Sequence, residues 1–180
     1  SPYPNYIYAH MYTVKIPENR EKPCVSTLFH RKLTGNLSGV RPGVTANKAS
    51  ISAEEGTVTL EPMSGQIPAN TGMILRAAGT TTSATLTILS ESEISNLEVV
   101  KNNALSGTKV DIKFEDGTSR TEYYVLGKDI TNGRVGLRNP SSSVTKIPMN
   151  KAYYHTTTPQ MNMLMFVMGE ATGIDHVKET

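Results

Sequence analysis

Cys24 is the one side chain able to act as a strong nucleophile, and His10, His30 and His155 are its conceivable bases. The surroundings do not support that chemistry. Pro23-Cys24-Val25 does not look like a protease elbow, and no helix start is evident to lower the thiol pKa. A bystander thiol is the simpler expectation. The four histidines, His176 included, show neither H-x-H nor H-x-x-x-H spacing, so no zinc site is expected. Acidic residues sit next to each other, as in Glu54-Glu55 and Glu115-Asp116, which reads as solvated turns. Two carboxylates for glycoside hydrolysis could meet only through the fold. No Asp-x-Asp calcium loop occurs, which leaves the Asp116-Gly117 turn as the sole calcium candidate. The glycines fall at turns and form no phosphate cradle. The expectation is no catalytic residue, no metal and no cofactor.

Tyrosine is the residue type most able to bind something. Tyr123-Tyr124 and Tyr153-Tyr154 are adjacent pairs, and Tyr3, Tyr6, Tyr8 and Tyr12 form a group. In a strand one member of each pair must face outward when its neighbour faces inward. Tyr123 and Tyr153 are therefore the ligand-binding candidates, as ring platforms for a sugar. Trp, the commonest platform residue, is absent, and a rim-facing Tyr is also ordinary sheet construction.

Charge narrows the partners. Lys plus Arg is 18 against 16 for Asp plus Glu, a formal net charge of +2. The pI near 8.6 comes from scattered charges, whereas nucleic-acid domains concentrate them on one face. No nucleic-acid partner is expected. No apolar run reaches the roughly 18 residues of a membrane helix, so no membrane span is expected in this segment. A single Cys forbids an internal disulfide, and a chain of 180 residues can build a core without one. The opening Ser-Pro-Tyr-Pro reads as a cut within a longer polypeptide, with any export signal expected upstream.

The elements that must position these residues repeat with a period of two. Strands are expected at Tyr6–Ile16, Val25–Leu33, Thr57–Glu61, Met73–Ala77, Ala84–Leu89, Lys109–Phe114, Glu122–Leu126, Arg134–Arg138, Lys151–His155 and Asn162–Met168. Punctuation between them includes Glu55-Gly56, Asp116-Gly117, Asn132-Gly133 and Asn139-Pro140, of which Asp-Gly and Asn-Gly are strong hairpin cues. With 22 Thr and 15 Ser, hydroxyls carry much of the polarity. Ser92–Val100 is the one helical candidate, with Ser95 and Glu98 at capping-box spacing. Met161–Met168 is apolar on both parities, which reads as a central strand covered on both faces. The expected fold is an all-β antiparallel sandwich of about ten strands, with at most one short helix. Residues 1–170 form one domain, and 171–180 form a tail or linker.

Ile-Pro-x-Asn occurs three times, at Ile16–Asn19, Ile67–Asn70 and Ile147–Asn150. The physical reading is a sheet corner: Ile anchors in the core, Pro ends a ladder, and Asn tolerates the left-handed backbone region. Repeated corners point to two related β units. The wider pattern, Tyr124-Val125-Leu126-Gly127, Gly133-Arg134-Val135-Gly136-Leu137 and Ile147–Tyr153, resembles a known family. These are the β-sandwich modules near the C-termini of large surface and secreted proteins of Bacteroides and Prevotella relatives, which accompany leucine-rich-repeat proteins, proteases and glycan-active enzymes. Ile67–Leu75, Asn103–Thr108 and the closing Gly169–Ile174 fit the same pattern. Leu137-Arg138 departs from it where an aromatic pair is common, and Met149 departs where a small residue is usual. The resemblance implies an extracellular or cell-surface location and carries no catalytic motif to transfer. The expected function is a non-catalytic spacer, adhesion or docking module of a larger protein. Its expected partners are the parent polypeptide's other domains and a glycan or host surface protein. The alternative is a carbohydrate-binding accessory module of a glycan-active enzyme.

Overall fold

The computed structural model describes residues 44–77, 100–115 and 119–168, together with the strands Met11–Lys15, Cys24–Leu28, Gly35–Asn36 and Ser83–Ile88. All but the last residue of the Ser92–Val100 helical candidate, Ile16–Asn19, Asp116-Gly117, the 171–180 tail, the N-terminal tyrosines other than Tyr12, and His10, His30 and His176 lie outside those residues. In chain order the strands are β1 (Met11–Lys15), β2 (Cys24–Leu28), β3 (Gly35–Asn36), β4 (Val44–Ser52) and β5 (Thr57–Pro62). They continue as β6 (Gln66–Ile67), β7 (Gly72–Ala77), β8 (Ser83–Ile88), β9 (Ser106–Gly107) and β10 (Ile112–Lys113). The last five are β11 (Tyr123–Lys128), β12 (Val135–Arg138), β13 (Lys146–Ile147), β14 (Ala152–His155) and β15 (Met163–Met168). Ten of them have four or more residues. Among the described residues the only helical element is a single 3-10 turn, Arg120–Glu122. The fold is all-β and sandwich-like.

Nine strands form one sheet in the order β2-β7-β4-β5-β15-β12-β11-β14-β9, beside sheets β1-β8-β3-β6 and β10-β13. The long order is a palindrome about β15. Strands β2–β7 and β9–β14 repeat each other pair for pair, down to the register. Leu28↔Gly72 and Thr27↔Met73 match Gly107↔Ala152 and Ser106↔Tyr153. Ala46↔Leu75 and Asn47↔Ile74 match Tyr123↔His155 and Tyr124↔Tyr154. Lys48↔Glu61 and Ala49↔Leu60 match Val125↔Arg138 and Leu126↔Leu137. Gly35↔Ile67 matches Ile112↔Ile147. The two related units expected from the Ile-Pro-x-Asn pattern are therefore present as a complete six-strand repeat. Strand β15 joins them, antiparallel to β12 and parallel to β5. Among the described residues that parallel pair is the one departure from an antiparallel fold.

The corners themselves match. Ile67 and Ile147 are buried, and Asn70 and Asn150 take φ of 67° and 69°. A buried threonine hydroxyl captures the proline carbonyl in each corner. In the first it comes from the corner's own Thr71, which donates to Pro68 O at 2.7 Å. In the second, Lys151 occupies that place, and Thr108 from the β9 side donates to Pro148 O at 2.7 Å while accepting the Lys151 N–H at 2.9 Å. Asp111 pins the same corner by accepting Met149 N–H at 2.8 Å and Lys146 Nζ at 3.0 Å. The Met149 hydrogen bond first, and Lys146 second, hold its carboxyl below the ordinary range.

Both units pack onto one core. Ala49, Val58, Leu60, Ile74, Leu105, Tyr124, Leu137, Ala152 and Leu164 cluster on the inner face, with Ile51, Leu126, Val135, Tyr154 and Phe166 against them. The ends of the sheet approach each other. A side chain at Gly72 on β7 would meet Ser106 O of β9 at 2.9 Å, and Asn103 bridges Gly72 O at 2.8 Å and Ala49 N–H at 3.2 Å. The outer face of the first unit is apolar and buried through Val44, Ala46, Met73, Leu75 and Ala77, and Ile67 and Leu86 of the four-stranded sheet are buried too.

Two expectations change. Lys109–Phe114 is strand only at Ile112–Lys113, because Asp111 is turned toward the second corner. Strand β15 is central in the sheet, as its composition predicts, but only one face is fully covered and the other is partly covered at Met163 and Met165. Leu164 and Phe166 face the core, while Val167 stays 41% exposed, as does Met161 just before the strand. The methionine run is thus half core and half surface.

Candidate functional site

The sheet places the two tyrosine candidates together. Tyr123 on β11 pairs in register with His155 on β14, and its core-facing neighbour Tyr124 pairs with Tyr154. Alternation then puts Tyr123, Tyr153 and His155 on the outer face. Ring centroids are 5.9 Å apart for Tyr123–Tyr153 and 4.7 Å for Tyr123–His155, each pair tilted at 43°. Phe114 closes edge-on against Tyr123 at 5.6 Å, and the Arg120 guanidinium lies over Phe114 at 4.9 Å. His155 Nε2 and Glu122 Oε1 meet at 3.2 Å.

Each member is fixed by backbone. Phe114 N–H donates to Thr145 O at 2.9 Å. Arg120 donates to Ser141 O and to Val144 O. Asn139 gathers Thr121 O and Tyr123 O at 3.0 and 2.8 Å. The loop 139–145 therefore straps the 3-10 turn and β10 onto β11. The rings are half-buried and mutually tilted. They form a packed aromatic ridge instead of the flat platform expected for sugar stacking.

Tyr123 and Tyr153 stand out in the sequence as binding candidates, whereas the grouping of Phe114, His155, Arg120 and Glu122 around them does not. The alternation Tyr153-x-His155 was legible. The approach of Phe114 depends on the 139–145 loop and was not. Cys24 lies on β2. Among the described residues no group of three His, Cys, Asp or Glu side chains could hold a metal. Glu54 and Glu55 sit exposed in the β4–β5 turn, as expected for a solvated pair. No helix in the described residues is long and apolar enough to cross a membrane.

Burial raises the hydroxyl pKa of Tyr124, and burial followed by the neighbouring Tyr123 raises that of Tyr153. Below about pH 10 both states keep these protons, so stability is unaffected. Above it the unfolded chain ionises first, the folded chain binds more protons, and stability falls as pH rises. Urea unfolding at stepped pH is expected to show that alkaline decline. Tyr124→Phe is expected to flatten it, and an unchanged slope would contradict the assignment.

Against protein-family models, curated proteins and solved structures alike, the chain finds no match.

Proposed function

We propose that the chain is a non-catalytic extracellular module of a larger surface or secreted protein, acting as an adhesion or docking unit through the outer face of β11, β12 and β14. One observation carries this reading. The two units share every pairing and register, yet the first seals its outer face with Ala46, Met73 and Leu75, and the second presents Tyr123, Tyr153 and His155 at the same three positions. A repeat that keeps its scaffold and opens one face supports a role for that face in contact. Three ion pairs are structural: Asp111 with Lys146 holds a corner, Glu122 meets His155, and Lys48 meets Glu61 at 3.6 Å. The family resemblance supplies the extracellular setting.

The carbohydrate-binding reading stays second. The clustered rings favour it, and their tilt disfavours stacking by a sugar. The test combines peptidase, esterase and glycosidase substrates with arrays of glycans and host surface proteins. No turnover is expected, and array binding is expected to weaken about tenfold or more in Tyr123→Ala or Tyr153→Ala, the usual range for a contact aromatic. Turnover abolished by replacing one Asp, Glu, His or Cys24 overturns the non-catalytic reading.

A further inference from the structure

The repeat exposes a charge with no ion-pair partner among the described residues. In the first unit the cross-strand positions hold Lys48 and Glu61, an ion pair at 3.6 Å. In the second the same register holds Val125 and Arg138. Arg138 has no acidic partner among the described residues. Among the described residues its guanidinium donates to carbonyls, Lys128 O at 3.0 Å and Asn139 O at 3.4 Å, which orients the group without neutralising it.

Its aliphatic stem lies across Gly127. A Cβ there would fall 2.6 Å from both Arg138 Cγ and Cδ. Gly127 is not among the positive-φ residues, so the backbone does not demand glycine. What a side chain there would meet is the Arg138 stem.

Arg138 borders an open cleft of about 400 Å³ between the β11–β12 hairpin tip and the 139–144 loop, and it also lines a second hollow of about 480 Å³ over β11. That is enough for a small ligand on the usual scale of roughly 300–1,000 Å³. Lys128 is a second cation on the wall. The one carboxylate there, Asp129, accepts the Thr131 N–H at 2.7 Å and keeps its charge, so the two cations leave the wall net positive by one. Ser141 and Asn162 add uncharged hydrogen-bonding groups, whereas the Asn139 amide is committed to Thr121 O and Tyr123 O. Strands β11 and β12 are interior, each paired on both sides, so no free ladder can take an extended peptide.

We propose that this cleft binds a carboxylate-bearing saccharide, with Arg138 and Lys128 holding the carboxylate and the Asn162 amide and Ser141 hydroxyl reading the sugar hydroxyls. Arg suits the role because its fork can grip a carboxylate with two parallel bonds. The proposal deepens the docking reading and rests on it.

The test is calorimetric titration of the whole chain with a galacturonate oligosaccharide, a glucuronate oligosaccharide and sialyllactose, each beside its neutral counterpart and a glutamate peptide of equal charge. At least one acidic sugar is expected to bind about tenfold or more tighter than its neutral match, with the preference shrinking as salt rises. Arg138→Gln and Gly127→Ala are each expected to erase the preference at unchanged folding by circular dichroism, and Arg138→Lys to restore part of it. No acid-over-neutral preference for any of the three, full preference in both variants, or tighter binding of the glutamate peptide overturns the proposal. Those outcomes leave the docking reading intact, whereas turnover of a saccharide would sink both.

Discussion

Truncating Ile67 or Ile147 to Ala is expected to cost roughly 2–5 kcal/mol at each position. Both side chains are almost wholly buried, 1% and 2% exposed, and each is the last strand residue before its corner. The lost term has two parts, the transfer of the removed carbons and the cavity left behind. Collapse into that cavity is restricted, because the chain on the far side is fixed. Pro68 and Pro148 have their carbonyls captured by Thr71 and Thr108, and Asn70 and Asn150 hold the left-handed turn. The second corner has the additional Asp111 clamp, so Ile147→Ala has less room to relax and is expected to lie toward the upper end. Urea unfolding of the two variants gives the comparison. A cost below about 0.5 kcal/mol at both would show that the shared motif does not anchor the repeat, since buried Ile to Ala does not otherwise come so cheaply.

These corners were legible because their residues act locally. Pro ends a ladder by lacking a donor and Asn turns the chain by tolerating positive φ, whatever surrounds them. The same holds for Gly133, whose φ of 72° follows from the Asn132-Gly133 cue between β11 and β12. Strand β4 was not legible, although it is the longest strand described. Its Val44–Ser52 run is rich in Ala, Ser, Asn and Lys, which have weak strand preference. It is a strand because β5 and β7 flank it on both sides. Small side chains also let other chain segments come close, as where Ala104 N–H reaches Ala49 O at 2.7 Å.

The candidate site divides in the same way. Tyr123 and Tyr153 could be picked out because Tyr-Tyr pairs in strands must split between faces. Arg138 could not. Its meaning lies in a comparison with Glu61, and that comparison exists only once the registers of the two units are known. The parallel β5–β15 pair was equally hidden, since it joins residues that no hairpin connects. Local chemistry is readable from sequence, whereas pairing between distant strands depends on the whole fold.

Strand β15 joins the units by pairing with β12 on one side and β5 on the other, and Gly136 is the tightest point of the β12 side. It lies on β12 opposite Met165 of β15. A Cβ at this position would run into the carbonyl oxygen of Leu164 and stand 2.9 Å from Met163 Cε. The methionine end can swing away, but the carbonyl belongs to a strand held on both sides, by β12 and by β5. Gly136→Ala must therefore push β15 outward and loosen the seam that the two units share. The expected cost is about 3 kcal/mol or more, at or above the upper end of ordinary overpacking. Two other glycines separate this cause from generic glycine effects. At Gly133 nothing lies within 4 Å, but φ is 72°, so Ala is expected to cost only about 1–2 kcal/mol of backbone strain. At Gly127 the obstacle is the flexible Arg138 stem, so Ala is expected to move the guanidinium with little loss of stability. Urea unfolding of the three variants should rank them Gly136, then Gly133, then Gly127. Hydrogen exchange on Gly136→Ala should show its largest increase at the β12–β15 amides. If Gly136→Ala proves no more costly than Gly133→Ala, β15 is not wedged between the units and the seam is held elsewhere.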